Sequence, residues 1–161
     1  MIDESSLYWL FPILFMTHEI EEIIFLPRFV ERLKWNNDSN KVIEKIPSIS
    51  SFQFTIIVIE QLILIILLSF YCYMNNNISL YISLIIVYIV HILIHYIQAI
   101  VIKKIIPGFY MGTLSSIVLA YLLITIEVDL KELAGYILII LLIAIFNLLI
   151  MHKIISNKIK Y

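Results

Sequence analysis

The chain has 161 residues, is 62% hydrophobic and carries a net charge of −1, with a mean hydropathy of +1.02. It is too apolar for an ordinary soluble domain, and its near-neutral balance gives nucleic acid nothing to hold. The lone cysteine, Cys72, excludes an internal disulfide and reads as a small apolar residue at the end of a span.

Five runs of about 20 mostly apolar residues have the length of membrane spans. They are Leu7–Pro27, Phe52–Tyr73, Ile78–Ile102, Phe109–Val128 and Leu133–His152. Period-two alternation is absent, so helices must satisfy the backbone. The expectation is an all-α integral membrane protein: one domain, a bundle of five transmembrane helices, multi-pass in the cell membrane. The abundance of Ile, Asn, Lys and Tyr points weakly to an AT-rich bacterial genome.

The first span follows an acidic flank, Met1-Ile2-Asp3-Glu4, with no small-x-small cleavage site, so it is not read as a cleaved signal. Within it lies His18-Glu19-Ile20-Glu21-Glu22. A carboxylate at mid-membrane costs about 3 kcal/mol or more unless it is paired, protonated or bound to a cation. On a helix, Glu22 falls about 40° round from His18 and Glu21 about −60°, so the three share a face; Glu19, about 100° away, flanks it.

Arg28 to Ser51 holds Arg28, Arg32, Lys34, Lys41 and Lys45, with Pro27 before it and Pro47 within it. Phe29, Val30 and Leu33 alternate with Glu31, Arg32 and Lys34 in the manner of a short interfacial helix, apolar side to lipid. Span two carries Glu60, with Gln61 beside it and Gln53 nearer the solvated end. Tyr71 and Tyr73 match Tyr8 and Trp9 of span one as an aromatic belt. Asn75-Asn76-Asn77 forms a tight turn into span three. There Tyr88, His91, His95 and Gln98 share one stripe, and two imidazoles one turn apart can chelate an ion or relay a proton. Lys103-Lys104 and Pro107-Gly108 end that helix before span four, where Gly112 and Ser116, four apart, suit close helix contact. The last span holds Asn147, and the tail adds Lys153, Lys158 and Lys160.

Ten of the eleven basic residues fall on one face of this five-span arrangement. The positive-inside rule makes that face cytoplasmic, with the N-terminus outside and the C-terminus inside. Counted from the cytoplasmic span ends, Glu21, Glu22, Glu60, His91, His95, Asn147, Ser115 and Ser116 all lie roughly 8–16 Å deep at 1.5 Å per residue. The expectation is one polar layer with His18, Glu21, Glu22, Glu60 and His95 as catalytic groups. A metal set of His18, Glu22, Glu60, His91 and His95 would suit zinc, iron or manganese. Position 22 is Glu rather than His, so the pattern is not the zinc-protease HExxH.

The sequence resembles a known family at these residues. His18-Glu19-Ile20-Glu21-Glu22 matches the His-x-x-Glu-Glu signature of the HXXEE membrane proteins. The resemblance covers roughly residues 7 to 125. It implies that His95 is the family's further histidine and that Ile105-Ile106-Pro107-Gly108 stands for its Tyr-x-Pro-Gly motif, with Ile105 where the family has tyrosine. It implies a shared site and names no reaction.

Three functions stay open on the residues alone. The first is catalysis within the membrane on a lipophilic substrate, by a bound divalent transition metal or by acid–base transfer among His and Glu. The second is a proton or cation pathway, or a transporter, although no inverted repeat is present. The third is structural His–Glu pairing between helices. The expected partners are the lipid bilayer, a lipophilic small molecule and a second copy in a homodimer.

Overall fold

The structure, a computed structural model, describes residues 4–35, 49–124 and 126–158. Among these the chain forms five helices and no strand: α1 Glu4–Trp35, α2 Ser51–Met74, α3 Ile78–Ile102, α4 Phe109–Leu123 and α5 Leu130–Lys158. Each expected span overlaps one of them. Helices α2, α3 and the Leu130–Met151 part of α5 are long and apolar enough to cross a membrane. Helix α4 is apolar but only 15 residues long. Helix α1 is long but carries the three carboxylates.

Local chemistry sets most of the boundaries. The Ser50 side chain accepts from the Gln53 N–H while the Gln53 side chain accepts from the Ser50 N–H, a capping box that starts α2. Gln53 is therefore a cap rather than a freely solvated amide. The Asn triplet turns as expected: Asn76 takes φ 50°, and Asn77 accepts from the Leu80 N–H to begin α3. Lys103, at φ 55°, ends α3 in the left-handed region. Asp129 accepts from the Lys131 and Glu132 N–H groups. That cap opens α5 at Leu130 and leaves α4 to stop at Leu123, short of the expected Val128.

Three expectations need correction. Helix α1 does not break at Pro27 but runs through it to Trp35, because proline removes one intrahelical bond without removing the packing around it. Val30 and Leu33 are then buried within the protein instead of facing lipid. Tyr8 is likewise buried, ring against Tyr81 and Tyr73, so the aromatic belt is left to the exposed Trp9, Tyr71 and Tyr73. Lys41, Lys45, Pro47, Lys160 and the His152 side chain lie outside the described residues.

Helix α3 is the hub, packing against all four others. Side-chain contacts fix the directions. The Tyr81 hydroxyl near the start of α3 donates to the Leu7 carbonyl near the start of α1, 2.6 Å away. Ser79 donates to Glu132, pairing the starts of α3 and α5 at 2.9 Å. Tyr96 meets Thr113 at 2.6 Å, pairing the end of α3 with the start of α4. So α1, α3 and α5 run one way, and α2 and α4 run the other. In lipid, helices gain little from burying apolar surface, so tight packing and such hydrogen bonds, about 1 kcal/mol each, hold them together. The core is an aromatic stack of Phe11, Phe15, Tyr81 and Tyr88, with Phe11 and Tyr88 rings 5.4 Å apart. It sets α1 against α3 at the height where their polar residues meet.

Tyr81→Phe should remove the α1–α3 hydrogen bond and nothing else. The expected loss is about 1 kcal/mol, read as a fall of roughly 2–4 °C in the melting temperature of the detergent-solubilised chain.

Candidate functional site

The loop after α3 builds one wall of the site. Gly108 sits at φ 86° and begins α4. A Cβ there would lie 2.6 Å from Glu22 Oε1 and 2.7 Å from His18 Cε1. Glycine is thus required twice, by the backbone and by the space. One turn on, a Cβ at Gly112 would lie 2.8 Å from Ile92 and 3.0 Å from His18 Nδ1. The Gly112 half of the small-residue pair serves to admit the His18 ring. Ser115, one residue before the other half, binds the Tyr88 hydroxyl at 2.6 Å.

His18 is wholly buried and its orientation is fixed by the backbone. Its Nδ1 lies 3.0 Å from the Gly108 carbonyl oxygen. A carbonyl can only accept, so Nδ1 carries the hydrogen and donates. In the neutral ring Nε2 then presents a lone pair. That nitrogen is buried without a hydrogen-bond partner and lies 3.8 Å from Glu19 Oε1. Metal-binding histidines are held in the same way, with one nitrogen tied to an acceptor and the other free to ligate.

Around Nε2 stand four more titratable side chains. His91 Nε2 and His95 Nε2 are 3.0 Å apart. Glu22 Oε1 lies 3.2 Å from His95 Nε2 but out of line for a hydrogen bond, which leaves that oxygen without such a partner. The ring centroids of His18 stand 5.6 Å from His91 and 5.3 Å from His95. Two triads overlap at His18: with His91 and His95, and with Glu19 and Glu22. In each, one donor atom per residue falls within 4.8 Å of the others. Donors held about 2.1 Å from a tetrahedral zinc stand about 3.4 Å from one another, and the His91–His95, Glu22–His95 and His18–Glu19 pairs, at 3.0, 3.2 and 3.8 Å, each have a separation of that size. Glu19 and Glu22 are each only 4% exposed, and two buried carboxylates side by side need a proton or a cation between them.

The other expected site residues sit elsewhere. Glu21 turns to α4, where its Oε2 accepts from the Met111 N–H at 2.8 Å. Gly108 offers α4 no capping side chain, so a carboxylate from α1 satisfies that helix end instead. Glu60 stands apart from both triads, accepting from Asn147 of α5 at 2.9 Å. Gln98 is exposed, as is Ile105, whose side chain is 55% exposed. A tyrosine at position 105 would therefore start from the surface. Ser115 is tied to Tyr88 and to backbone carbonyls. Glu19 is the cluster member that the helical-wheel count set to one side. It continues the stripe of Phe11 and Phe15, four residues apart, and that stripe was the available signal.

Gly108→Ala should lower stability by about 1–3 kcal/mol through strain and displacement of Glu22. Gly135 in α5 has nothing within 4 Å of an added Cβ, so Gly135→Ala should be neutral or raise it by about 0.5–1 kcal/mol. Melting temperatures of the two variants beside wild type check both.

The family model described as a protein of unknown function with HXXEE motif matches residues 9–125, which contain every member of the cluster. No curated protein and no solved structure matches the chain.

Proposed function

The chain belongs to the HXXEE-motif family, and we propose that it is a metal-dependent enzyme working inside a membrane on a lipophilic substrate. The observation that carries this reading is the lone pair of His18 Nε2, buried and unpartnered amid His91, His95, Glu19 and Glu22. Three imidazoles and two carboxylates form a borderline-to-hard donor set of the kind that holds zinc, iron or manganese. In this reading His18 holds the ion together with His91 and His95 or with Glu19 and Glu22, and Glu19 and His91 border the cavity. When bound, such an ion supplies Lewis-acid activation of water or oxygen. The chain's residues do the rest. The Gly108 carbonyl fixes the His18 ring, Phe15 and Tyr88 exclude bulk water, and Glu19 is placed to hold or pass a proton at the cavity side.

A metal-free variant of the same reading draws on the 3.0 Å contact between His91 and His95 and the 3.2 Å approach of Glu22. A single proton shared along that chain would serve acid–base isomerisation of a lipophilic substrate. Both variants place five spans in the membrane with the N-terminus outside, an orientation supported by the one-sided Lys and Arg distribution.

Elemental analysis of the purified full chain should find a transition metal at near-stoichiometric level. His18→Ala should lower it at least about tenfold, the effect expected for removing a first ligand. Glu60→Gln should leave it unchanged. A metal-free wild type whose melting temperature ignores chelator would exclude the metal reading. For orientation, Lys103→Cys in a Cys72→Ser background should react with an impermeant maleimide only from the cytoplasmic side.

A further inference from the structure

A cavity of about 220 Å³ lies beside the cluster, walled by α1, α2, α3 and α5. Each helix contributes one stripe, and the stripes are graded along the axis. Glu19, Gln61, His91 and Asn147 line one end; Phe11, Leu68, Leu84 and Ile140 line the other. The antiparallel run of α2 against its neighbours brings the four polar residues to the same end. The wall from Phe11 to Glu19 spans eight residues, or roughly 12 Å at 1.5 Å per residue. The cavity is smaller than the roughly 300–1,000 Å³ of pockets for drug-sized molecules, and a long apolar path that ends in polar groups suits a hydrocarbon chain. Leu64 and Ile143 line the cavity and are also 45% and 60% exposed, so it reaches the outer surface between α2 and α5. That surface is apolar: Ile63, Leu67, Ile139 and Leu142 are all exposed there.

We infer that this cavity takes a single hydrocarbon chain with an uncharged polar head from the surrounding membrane, entering between α2 and α5. The tail lies along Phe11 and Ile140, and the head reaches Glu19 and His91. The charge of the lining decides the head. It includes a carboxylate and no Lys or Arg, so apart from the proposed ion a phosphate or diphosphate would meet no cation and one acidic side chain. A long-chain alcohol or aldehyde meets amide, imidazole and carboxyl groups able to hydrogen-bond it. The inference rests on the proposed reading of the cluster only for what happens to the head; the fit of the tail is independent of it.

The test uses the full chain in lipid nanodiscs and hexadecanol carrying a mid-chain diazirine. Photolabelling should concentrate on the α2 and α5 segments around Leu64 and Ile143, and unlabelled hexadecanol should compete it away. Hexadecyl phosphate should not compete once chelator has stripped the protein of metal. Ala144→Trp and Leu64→Trp, which fill the mouth from opposite walls, should each cut labelling about tenfold, a change of about 1.4 kcal/mol. Leu138→Trp, exposed on α5 and not lining the cavity, should not. Label spread over all outward faces without competition, or equal competition by hexadecyl phosphate on the metal-stripped protein, would overturn the inference. So would labelling indifferent to both mouth variants at wild-type melting temperature. Metal content measured on the same samples separates the two ideas. Metal without specific labelling removes this inference alone, and specific labelling without metal removes the metal reading alone.

Discussion

The bond from His18 to the Gly108 carbonyl is the contact on which the site depends. It joins a buried side chain of α1 to the backbone of the loop that ends α3 and begins α4. It sets which His18 nitrogen carries the hydrogen, and so turns the other, unpartnered, toward two more imidazoles and two carboxylates. The bond needs Gly108 at a positive φ with no side chain, and Gly112 to leave room for the ring. The His-x-x-Glu-Glu and Pro-Gly segments are therefore two halves of one device, far apart in sequence and touching in space.

The rest of the bundle serves to hold that contact. Hydrogen bonds tie each helix to its neighbour: Tyr81 to Leu7, Tyr88 to Ser115, Tyr96 to Thr113, Ser79 to Glu132, and Asn147 to Glu60. Where lipid replaces water outside, such bonds count for more than apolar burial in deciding which helix sits beside which. Two expected site residues have such bracing roles. Glu21 caps α4, and Glu60 ties α2 to α5. Both carboxylates stand beside the cavity or the cluster without adding a donor to either triad.

The cavity gives the cluster a direction. One side of the polar group is closed by Gly108 and Gly112. The other side opens, through Glu19 and His91, onto an apolar slot. A buried ionic cluster is costly, and here that cost lies at the head of a pocket rather than in a sealed core. A purely structural polar knot would not need such an opening.

The sequence alone determined the five helices, and it put His18, Glu22, His91 and His95 at one depth together with Glu21 and Glu60. Hydrophobic run length and the 3.6-residue turn are local properties, and an ionisable residue in an apolar run declares its own cost. Depth along each span was legible for the same reason, since it follows from counting residues. Rotation of each helix about its axis was not, because it depends on which neighbour each face meets. That is why Glu19 and Glu21, on opposite flanks of one face, could not be ranked, and why Glu60, at a suitable height, turned out to face Asn147. The passage of α1 through Pro27 and the existence of the slot are also tertiary facts. Packing across helices outweighs one missing backbone bond, and an empty space is owned by four helices at once, so no single stretch of chain encodes it.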